Sequence, residues 1–120
     1  MSLADLDDDG DLDVIINNLG TESQLFENQL CEGTSLQVSL IDGAGENRLA
    51  IGAQVVLESS TGNFQREMRA MSGYLSGDPA VVHFGLPAGA TITALHIIWP
   101  DGKTSTLDGI EPNQRIEAKR

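Results

Sequence analysis

The sequence has one cysteine, Cys31, and no apolar run approaching the roughly 20 residues that span a bilayer. A single cysteine excludes an internal disulfide framework and a zinc site built on cysteines. We interpret Cys31 as a small buried side chain, with a pairing or reactive role as the alternative, and it does not indicate the compartment. The N-terminus also lacks the charged-then-apolar pattern of a signal peptide, and no transmembrane segment is predicted.

Positive charge is scarce as well, because 7 Lys and Arg residues stand against 18 Asp and Glu residues, for a formal net charge of −11. Such a surface repels phosphate backbones and anionic lipid headgroups, so nucleic acid is not expected as a partner. Six of the 18 acidic residues lie within residues 5–13. Carboxylates packed that densely repel one another, and the cluster therefore predicts a bound cation.

Turn-forming residues are plentiful, with 13 glycines and many Ser, Thr, Asn and Asp residues between short apolar runs. Apolar and polar residues alternate clearly in residues 36–40 and 93–99, as expected for half-buried strands, and Pro100–Lys103 has the composition of a tight turn. The length fits one domain and a short appendage. We predict an all-β chain, with an antiparallel β-sandwich or barrel-like domain of about seven strands. The predicted strands include residues 12–16, 25–26, 51–58, 64–71, 81–84, 91–99, 104–107 and 115–118.

The acidic cluster has the spacing D-x-D-x-D-G-x-x-D, which is typical of a calcium-binding loop. Calcium takes six to eight oxygen ligands, and alternate residues of a tightly curled loop can direct their carboxylates at one centre. An EF-hand would need a glutamate at position 12, where Ile16 stands in an apolar run. A solvated acidic tail without metal is the alternative. The predicted Ca²⁺ ligands are the side-chain carboxylates of Asp5, Asp7, Asp9 and Asp13 and the main-chain carbonyl of Asp11. The side chains of Asp8 and Asp11 are predicted to point outward.

Several motifs resemble known families. Residues 4–18, A-D-L-D-D-D-G-D-L-D-V-I-I-N-N, resemble an FG-GAP (integrin-type, also called VCBS) propeller repeat. The remainder, from about residue 35 to the end, resembles the ASPIC and UnbV domain. The motifs of that resemblance are N-R-L-A-I-G-A (47–53), G-Y-L-S (73–76), H-F-G-L (83–86), W-P-D-G (99–102) and P-N-Q (112–114). One departure is Pro87, where similar sequences often continue with glycine.

The resemblance implies a domain that follows FG-GAP repeats in extracellular proteins. We therefore expect a vector-derived lead-in at residues 1–3, a partial FG-GAP/VCBS repeat and linker at 4–33, and an ASPIC/UnbV-like β-domain at 34–120. The N-terminal part would supply a calcium loop and a strand from a truncated propeller blade. The expected location is extracellular or the bacterial cell envelope.

Three functions are compatible with the sequence. The first is a non-enzymatic binding or adhesion-type module that presents loops to a protein or glycan. The second is a structural cap or anchoring tail of the propeller, in which the apolar side chains of Leu25, Phe26 and Leu30 are exposed by truncation and can make the fragment dimerise. The third is a hydrolase acting on a polysaccharide or ester, with His83 and Asp78 as its polar pair. We expect no enzymatic activity and therefore favour the first.

Isolated polar and aromatic residues support this preference. His83 and His96 lie inside predicted strands and are interpreted as structural, with Gly85 in a turn at residues 83–86. Trp99 is assigned to the core behind a hairpin, with a sugar-stacking platform as the alternative. No nucleophile-elbow context surrounds Ser72, Ser76 or Ser105. The arginines at positions 48, 66 and 69 are predicted to form either a small basic patch or internal ion pairs.

Overall fold

A computed structural model describes residues 1–29, 33–71 and 76–120. Within these ranges the chain is all-β, and no helix capable of crossing a membrane is found there. The predictions for Leu30, Cys31, Ser72 and residues 73–75 lie outside the described residues. The strands are β1 (Ser2–Ala4), β2 (Asp13–Ile16), β3 (Gln24–Phe26), β4 (Thr34–Ile41), β5 (Gln54–Ser59), β6 (Gly62–Glu67), β7 (Val81–Leu86), β8 (Ile92–Ile98), β9 (Thr104–Asp108) and β10 (Gln114–Lys119).

Seven of these strands form two sheets that enclose the core, in the orders β10-β4-β7 and β6-β5-β8-β9. Alternate side chains of the inner strands point into the space between the sheets, as their period-2 pattern predicts. The predicted all-β architecture is confirmed, and the sheets do not close into a barrel. The most deeply buried large side chains are Leu36, Val38, Leu40, Val55, Leu57, Met68, Phe84, Leu95 and Ile97.

One strand pair of this sandwich is parallel, namely β10 with β4. The turn before β10 explains the direction. Asn113 has a positive φ of 58°, its backbone N–H donates to the Ser35 carbonyl at 2.6 Å, and its Oδ1 accepts from the Ser35 N–H at 2.9 Å. These bonds place the start of β10 beside the start of β4, so the two strands run in the same direction.

Strand β5 begins at Gln54, and the prediction that this strand starts at Ile51 is wrong. The N–H of Ala50 donates to the carbonyl of Asn47, and the N–H of Ala53 donates to the carbonyl of Ala50, both at 2.9 Å. Successive turns therefore occupy the N-R-L-A-I-G-A segment, where Gly52 has a φ of 90°. A local period-2 pattern could not reveal these turns.

Strand β7 extends through Leu86, and the prediction of a turn at residues 83–86 is wrong. Gly85 lies opposite Ser35 in the pairing with β4. It does not have a positive φ. The partner strand extends the ladder beyond the short run that the apolar pattern predicted.

The last residue of the chain, Arg120, supports the W-P-D-G turn between β8 and β9. Its guanidinium lies 4.6 Å from the ring centroid of Trp99 and donates to Asp42 at 2.7 Å and to Asp101 at 2.8 Å. The Trp99 side chain is 2% exposed, and its Nε1–H donates to Ser105 Oγ at 2.8 Å. This confirms that Trp99 is a core residue, because a buried ring has no face open for a sugar.

We expect the Arg120 contacts to make stability depend on acid. Hydrogen bonds from Arg120 lower the pKa values of Asp42 and Asp101. A lowered folded-state pKa contributes stability above the ordinary carboxyl value of about 4, and that contribution is lost as the pH falls through the lowered value. The melting temperature should therefore fall more steeply below about pH 4 in the natural chain than in Asp42→Asn.

A pH series of thermal melts checks this expectation, with Glu117→Gln as the control. Glu117 pairs with Lys119 at 2.7 Å, but both side chains are about half exposed or more, so this pair contributes little. The same acid slope in Asp42→Asn and in the natural chain would contradict the expectation.

Three further strands form a separate antiparallel sheet in the order β1-β2-β3. Ser2 and Leu3, in the predicted lead-in, belong to β1 and pair with Ile15 and Val14 of β2. Strand β3 lies at the edge, and all three of its residues are exposed. This N-terminal sheet carries the acidic loop between β1 and β2.

Candidate functional site

The acidic loop is a hairpin connection whose ends are fixed by the pairing of Ala4 with Asp13. The chain curls through two residues of positive φ, Asp8 at 59° and Gly10 at 96°. Side-chain oxygens inside the curl accept from backbone N–H groups, including that of Gly10, which donates to Asp5 Oδ2 at 3.1 Å. The curl brings together carboxylate oxygens of Asp5, Asp7 and Asp9, which all lie within 4.8 Å of one another.

Two carboxylate oxygens of this loop fit a cation particularly well. Asp5 Oδ1 and Asp11 Oδ1 are buried and have no hydrogen-bond partner among the described residues. Buried oxygens without a donor are unfavourable unless a charge or donor compensates them. The Asp11 side chain thus differs from the prediction that it points outward. The exposed position of Asp8 agrees with its prediction.

Crowding in the loop also affects protonation. Burial raises the pKa of Asp11, and the negative charges of Asp9, Asp13, Asp7 and Asp5 raise it further. Burial likewise raises the pKa of Asp7, and the charges of Asp9 and Asp13 add to this effect. Both shifts show that the loop disfavours additional negative charge, the condition that a divalent cation relieves.

Asp13 has a structural role that the spacing did not reveal. Its side chain is 2% exposed. Oδ2 accepts from the N–H of Leu6 at 3.0 Å, and Oδ1 accepts from the N–H of Asn28 at 2.9 Å. Asp13 therefore closes the loop and attaches the segment after β3, while the close group of carboxylates found among the described residues comprises Asp5, Asp7 and Asp9.

The loop is bonded to the outer face of the sandwich. His83 Nε2 lies 2.7 Å from the carbonyl oxygen of Gly10, and because a carbonyl only accepts, Nε2 carries the proton. Gln37 Nε2 donates to Asp5 Oδ2. Gln37 and His83 are directly opposite each other on β4 and β7. This contact agrees with the interpretation of His83 as a structural residue, and its partner lies 73 positions away in sequence.

A second contact joins the N-terminal sheet to the sandwich near β1. The Ser2 hydroxyl lies 3.0 Å from the Gly77 carbonyl and 3.3 Å from Asp78 Oδ1. The sheet is thus attached both at its acidic loop and at its first strand.

Between these two attachments lies a cavity of about 380 Å³, which we call the junction cavity. It brings together His83 and Asp78, the polar pair considered for a hydrolase. It also brings together Arg66 and Arg69 of the predicted basic patch, but not Arg48. The lining consists of Leu3, Ala4, Asp5, Leu12, Gln37, Arg66, Glu67, Arg69, Asp78, Pro79, Val81, Val82, His83 and Arg115.

Two further candidate residues, Arg69 and His96, have structural partners, whereas Ser76 Oγ is buried and has no hydrogen-bond partner among the described residues. Arg69 forms an exposed ion pair with Glu67 at 2.9 Å, as the second interpretation of the basic residues predicted. His96 lies on β8 and contacts Glu58 at 3.3 Å and Thr106 at 3.0 Å. This agrees with a structural His96. Its carboxylate partner was not evident from the sequence because it lies on a neighbouring strand.

Comparison with known proteins gives one result for the sandwich. A family model described as "ASPIC and UnbV" matches residues 43–120, more than half of the chain. The matched region begins after β4 and includes β5 to β10, while the acidic loop lies outside it. A search of curated proteins finds no match.

Proposed function

The chain belongs to the ASPIC and UnbV family, and on that premise we propose that it is a calcium-supported, non-enzymatic binding module of extracellular type. In this proposal residues 4–33 are the end of an FG-GAP/VCBS propeller repeat, and the sandwich follows the propeller. Calcium fixes the junction between the two parts, and the module presents its surface to a protein or glycan.

One observation carries the proposal: the loop that gathers the carboxylates is the same loop that is bonded to the sandwich. Asp5 offers one oxygen to Gln37 and to the N–H of Gly10, and its other oxygen is buried without a donor. A cation held by Asp5, Asp7 and Asp9, with Asp11 beside them, would neutralise the repulsion inside the loop. The hydrogen bond from His83 to Gly10 then keeps the loop on the sheet.

A purely structural cap is the second candidate, and exposed apolar side chains favour it. Leu25 and Phe26 on edge strand β3 are 63% and 51% exposed. An edge strand with apolar side chains is a ready surface for another strand or a second copy of the chain. A cap predicts no ligand in the junction cavity, which distinguishes it from a binding module.

A hydrolase is less well supported by the geometry. His83 and Asp78 line the same cavity, but Nε2 of His83 is occupied by the Gly10 carbonyl. A general base needs a nitrogen within hydrogen-bond reach of a substrate proton, and this contact leaves only Nδ1. A role for His83 in positioning the loop explains the contact without chemistry.

Calcium is expected to raise the melting temperature. At free calcium about 100 times the dissociation constant, binding to the folded state alone contributes about 2.7 kcal/mol, or roughly 10 °C for a domain of this size. Thermal denaturation with calcium or with a chelator measures the shift. Asp7→Asn should remove most of it, because asparagine keeps the hydrogen bond to the Asp9 N–H but loses the charge.

Asp8→Asn is the matched control, since it removes the same charge from an exposed position in the same loop and asparagine tolerates positive φ. Its calcium shift should remain close to that of the natural chain. If Asp7→Asn kept the full shift, or if calcium produced none, the metal part of the proposal would be wrong.

A further inference from the structure

We propose that the junction cavity binds a uronate, a sugar unit that carries one carboxylate. This inference rests on the proposed binding function and names its ligand class. It depends on three features of the cavity, which are two arginines without an ion pair among the described residues, a histidine nitrogen without a partner there, and aliphatic walls.

Cations are concentrated in this cavity. Three of the seven Lys and Arg residues of a chain with net charge −11 line it, namely Arg66, Arg69 and Arg115. Arg69 is neutralised by Glu67, which accepts from its Nε at 3.0 Å and its Nη2 at 2.9 Å. Arg66 and Arg115 have no carboxylate partner among the ion pairs found in the described residues.

The other two carboxylates of the lining have different partners. Asp5 accepts from Gln37 and from the N–H of Gly10, and Asp78 contacts the Ser2 hydroxyl. Neither forms an ion pair with Arg66 or Arg115 among those found in the described parts of the chain. Both acidic groups nevertheless reduce the positive potential of the cavity, so a ligand with one negative charge fits it better than a multiply charged ligand.

Arg66 and Arg115 have donors to spare. Arg66 donates Nη1 to the carbonyl of Gln65 at 3.0 Å and lies 6.0 Å from the Phe84 ring centroid. The backbone of Arg115 pairs with β4, but its side chain forms no hydrogen bond or ion pair among those found in the described residues. A guanidinium presents five N–H donors in a fork that matches a carboxylate. Two such groups at one cavity favour a carboxylate ligand.

A sugar is favoured over a bare anion by the rest of the lining. In the tautomer whose proton is on Nε2, which donates to Gly10, Nδ1 of His83 is an acceptor, and it has no partner among the described residues. An acceptor beside cationic donors suits a ligand that has hydroxyl groups as well as a carboxylate. Ala4, Leu12 and Val81 add apolar wall for the C–H face of a ring, and about 380 Å³ lies in the range of small-molecule sites.

The calcium loop should influence this site, because Asp5 belongs to both. A cation at the loop would cancel the repulsion between Asp5 and a bound carboxylate. Binding of a uronate is therefore expected to be several times tighter with calcium than with a chelator.

An NMR titration of the full 120-residue chain in saturating calcium tests the proposal, with methyl glucuronide as the probe and methyl glucoside as its neutral counterpart. The glucuronide should bind saturably, and the glucoside at least about tenfold more weakly, as expected for a lost charge-assisted hydrogen bond. Arg66→Gln and Arg115→Gln should each weaken the glucuronide by about tenfold or more. Arg48→Gln, with the same charge change outside the cavity, should stay within about twofold.

Other outcomes overturn the inference. If the glucoside bound as tightly as the glucuronide, or if Arg48→Gln weakened glucuronide binding as much as the cavity variants, the cavity arginines would not be the groups that recognise the carboxylate. Acetate or a glutamate-containing peptide binding as tightly as the glucuronide would show a carboxylate site without sugar preference. If calcium raised the melting temperature but the glucuronide did not bind, the uronate site would be rejected and the calcium-supported module would stand. If the glucuronide bound but calcium did not raise the melting temperature, only the calcium part of the proposal would be rejected.

Discussion

Trp99→Ala is expected to lower the free energy of unfolding by about 3–5 kcal/mol, the usual loss when a buried aromatic ring is removed. The ring is 2% exposed, packs in the core and lies under the guanidinium of Arg120. Its removal leaves a cavity and also withdraws the surface on which Arg120 rests between Asp42 and Asp101. Denaturant unfolding of the natural and substituted chains measures the difference.

Ser105→Ala separates the hydrogen bond of the indole from its packing. This variant removes only the acceptor of Trp99 Nε1, and the expected loss is about 1 kcal/mol. A Trp99→Ala loss below about 1 kcal/mol would contradict the assignment of the ring to the core. Loss of sugar binding with normal stability would instead restore the interpretation of Trp99 as a sugar platform.

Gly10→Ala is expected to lower stability by about 1–3 kcal/mol and to weaken the calcium response of the loop. Gly10 has a φ of 96°, where side chains are strained, and an added Cβ would lie 2.5 Å from Ser35 Oγ. The methyl group must therefore displace the Ser35 hydroxyl or lift the loop from β4. Lifting the loop also breaks the contact between the Gly10 carbonyl and His83.

Gly20→Ala provides the matched control. Gly20 also has a positive φ, 80°, but an added Cβ there would meet nothing within 4 Å. It should show the backbone strain alone, about 1 kcal/mol. The double variant Gly10→Ala/Ser35→Ala should recover the part of the loss due to the close approach. Equal losses in Gly10→Ala and Gly20→Ala, each with a normal calcium response, would show that the loop does not rest on Ser35.

Much of the sandwich could be predicted because its signals are local. Alternation in residues 36–40 and 93–99 gave the buried faces of β4 and β8, and Pro100–Lys103 gave the turn between β8 and β9. Each signal lies within one strand or one turn. Side-chain period and turn composition are fixed by steric preferences over a few residues, so a single sequence is enough to read them.

Long-range contacts could not be predicted in the same way. The parallel pairing of β10 depends on Asn113 meeting Ser35, 78 residues apart in sequence, and the docking of the loop depends on His83 meeting Gly10. The spacing predicts Asp13 as a metal ligand, and it does not reveal that both of its oxygens accept backbone N–H groups. No periodic pattern specifies such pairs, because they arise only when separate elements meet in the folded chain.

The residues of the junction cavity were likewise predictable only where they are neighbours in sequence. Arg66 and Arg69 are predicted neighbours on one hairpin, but Arg115 comes from β10 and takes the place of Arg48 in the group that the fold assembles. A candidate binding site of this kind is assembled from five strands and the acidic loop, several of which are distant in sequence. The sequence predicts the types of side chain in such a site, but it does not predict which individual residues line the cavity.

In our proposal, residues 5–13 form a calcium site that supports the junction between the N-terminal sheet and the sandwich. Calorimetric titration with calcium tests it most directly, using the natural chain, Asp7→Asn and Asp8→Asn. We expect one calcium ion per natural chain, the same stoichiometry in Asp8→Asn, and affinity at least about tenfold weaker in Asp7→Asn. No saturable heat in the natural chain, or equal loss in Asp7→Asn and Asp8→Asn, would contradict the claim.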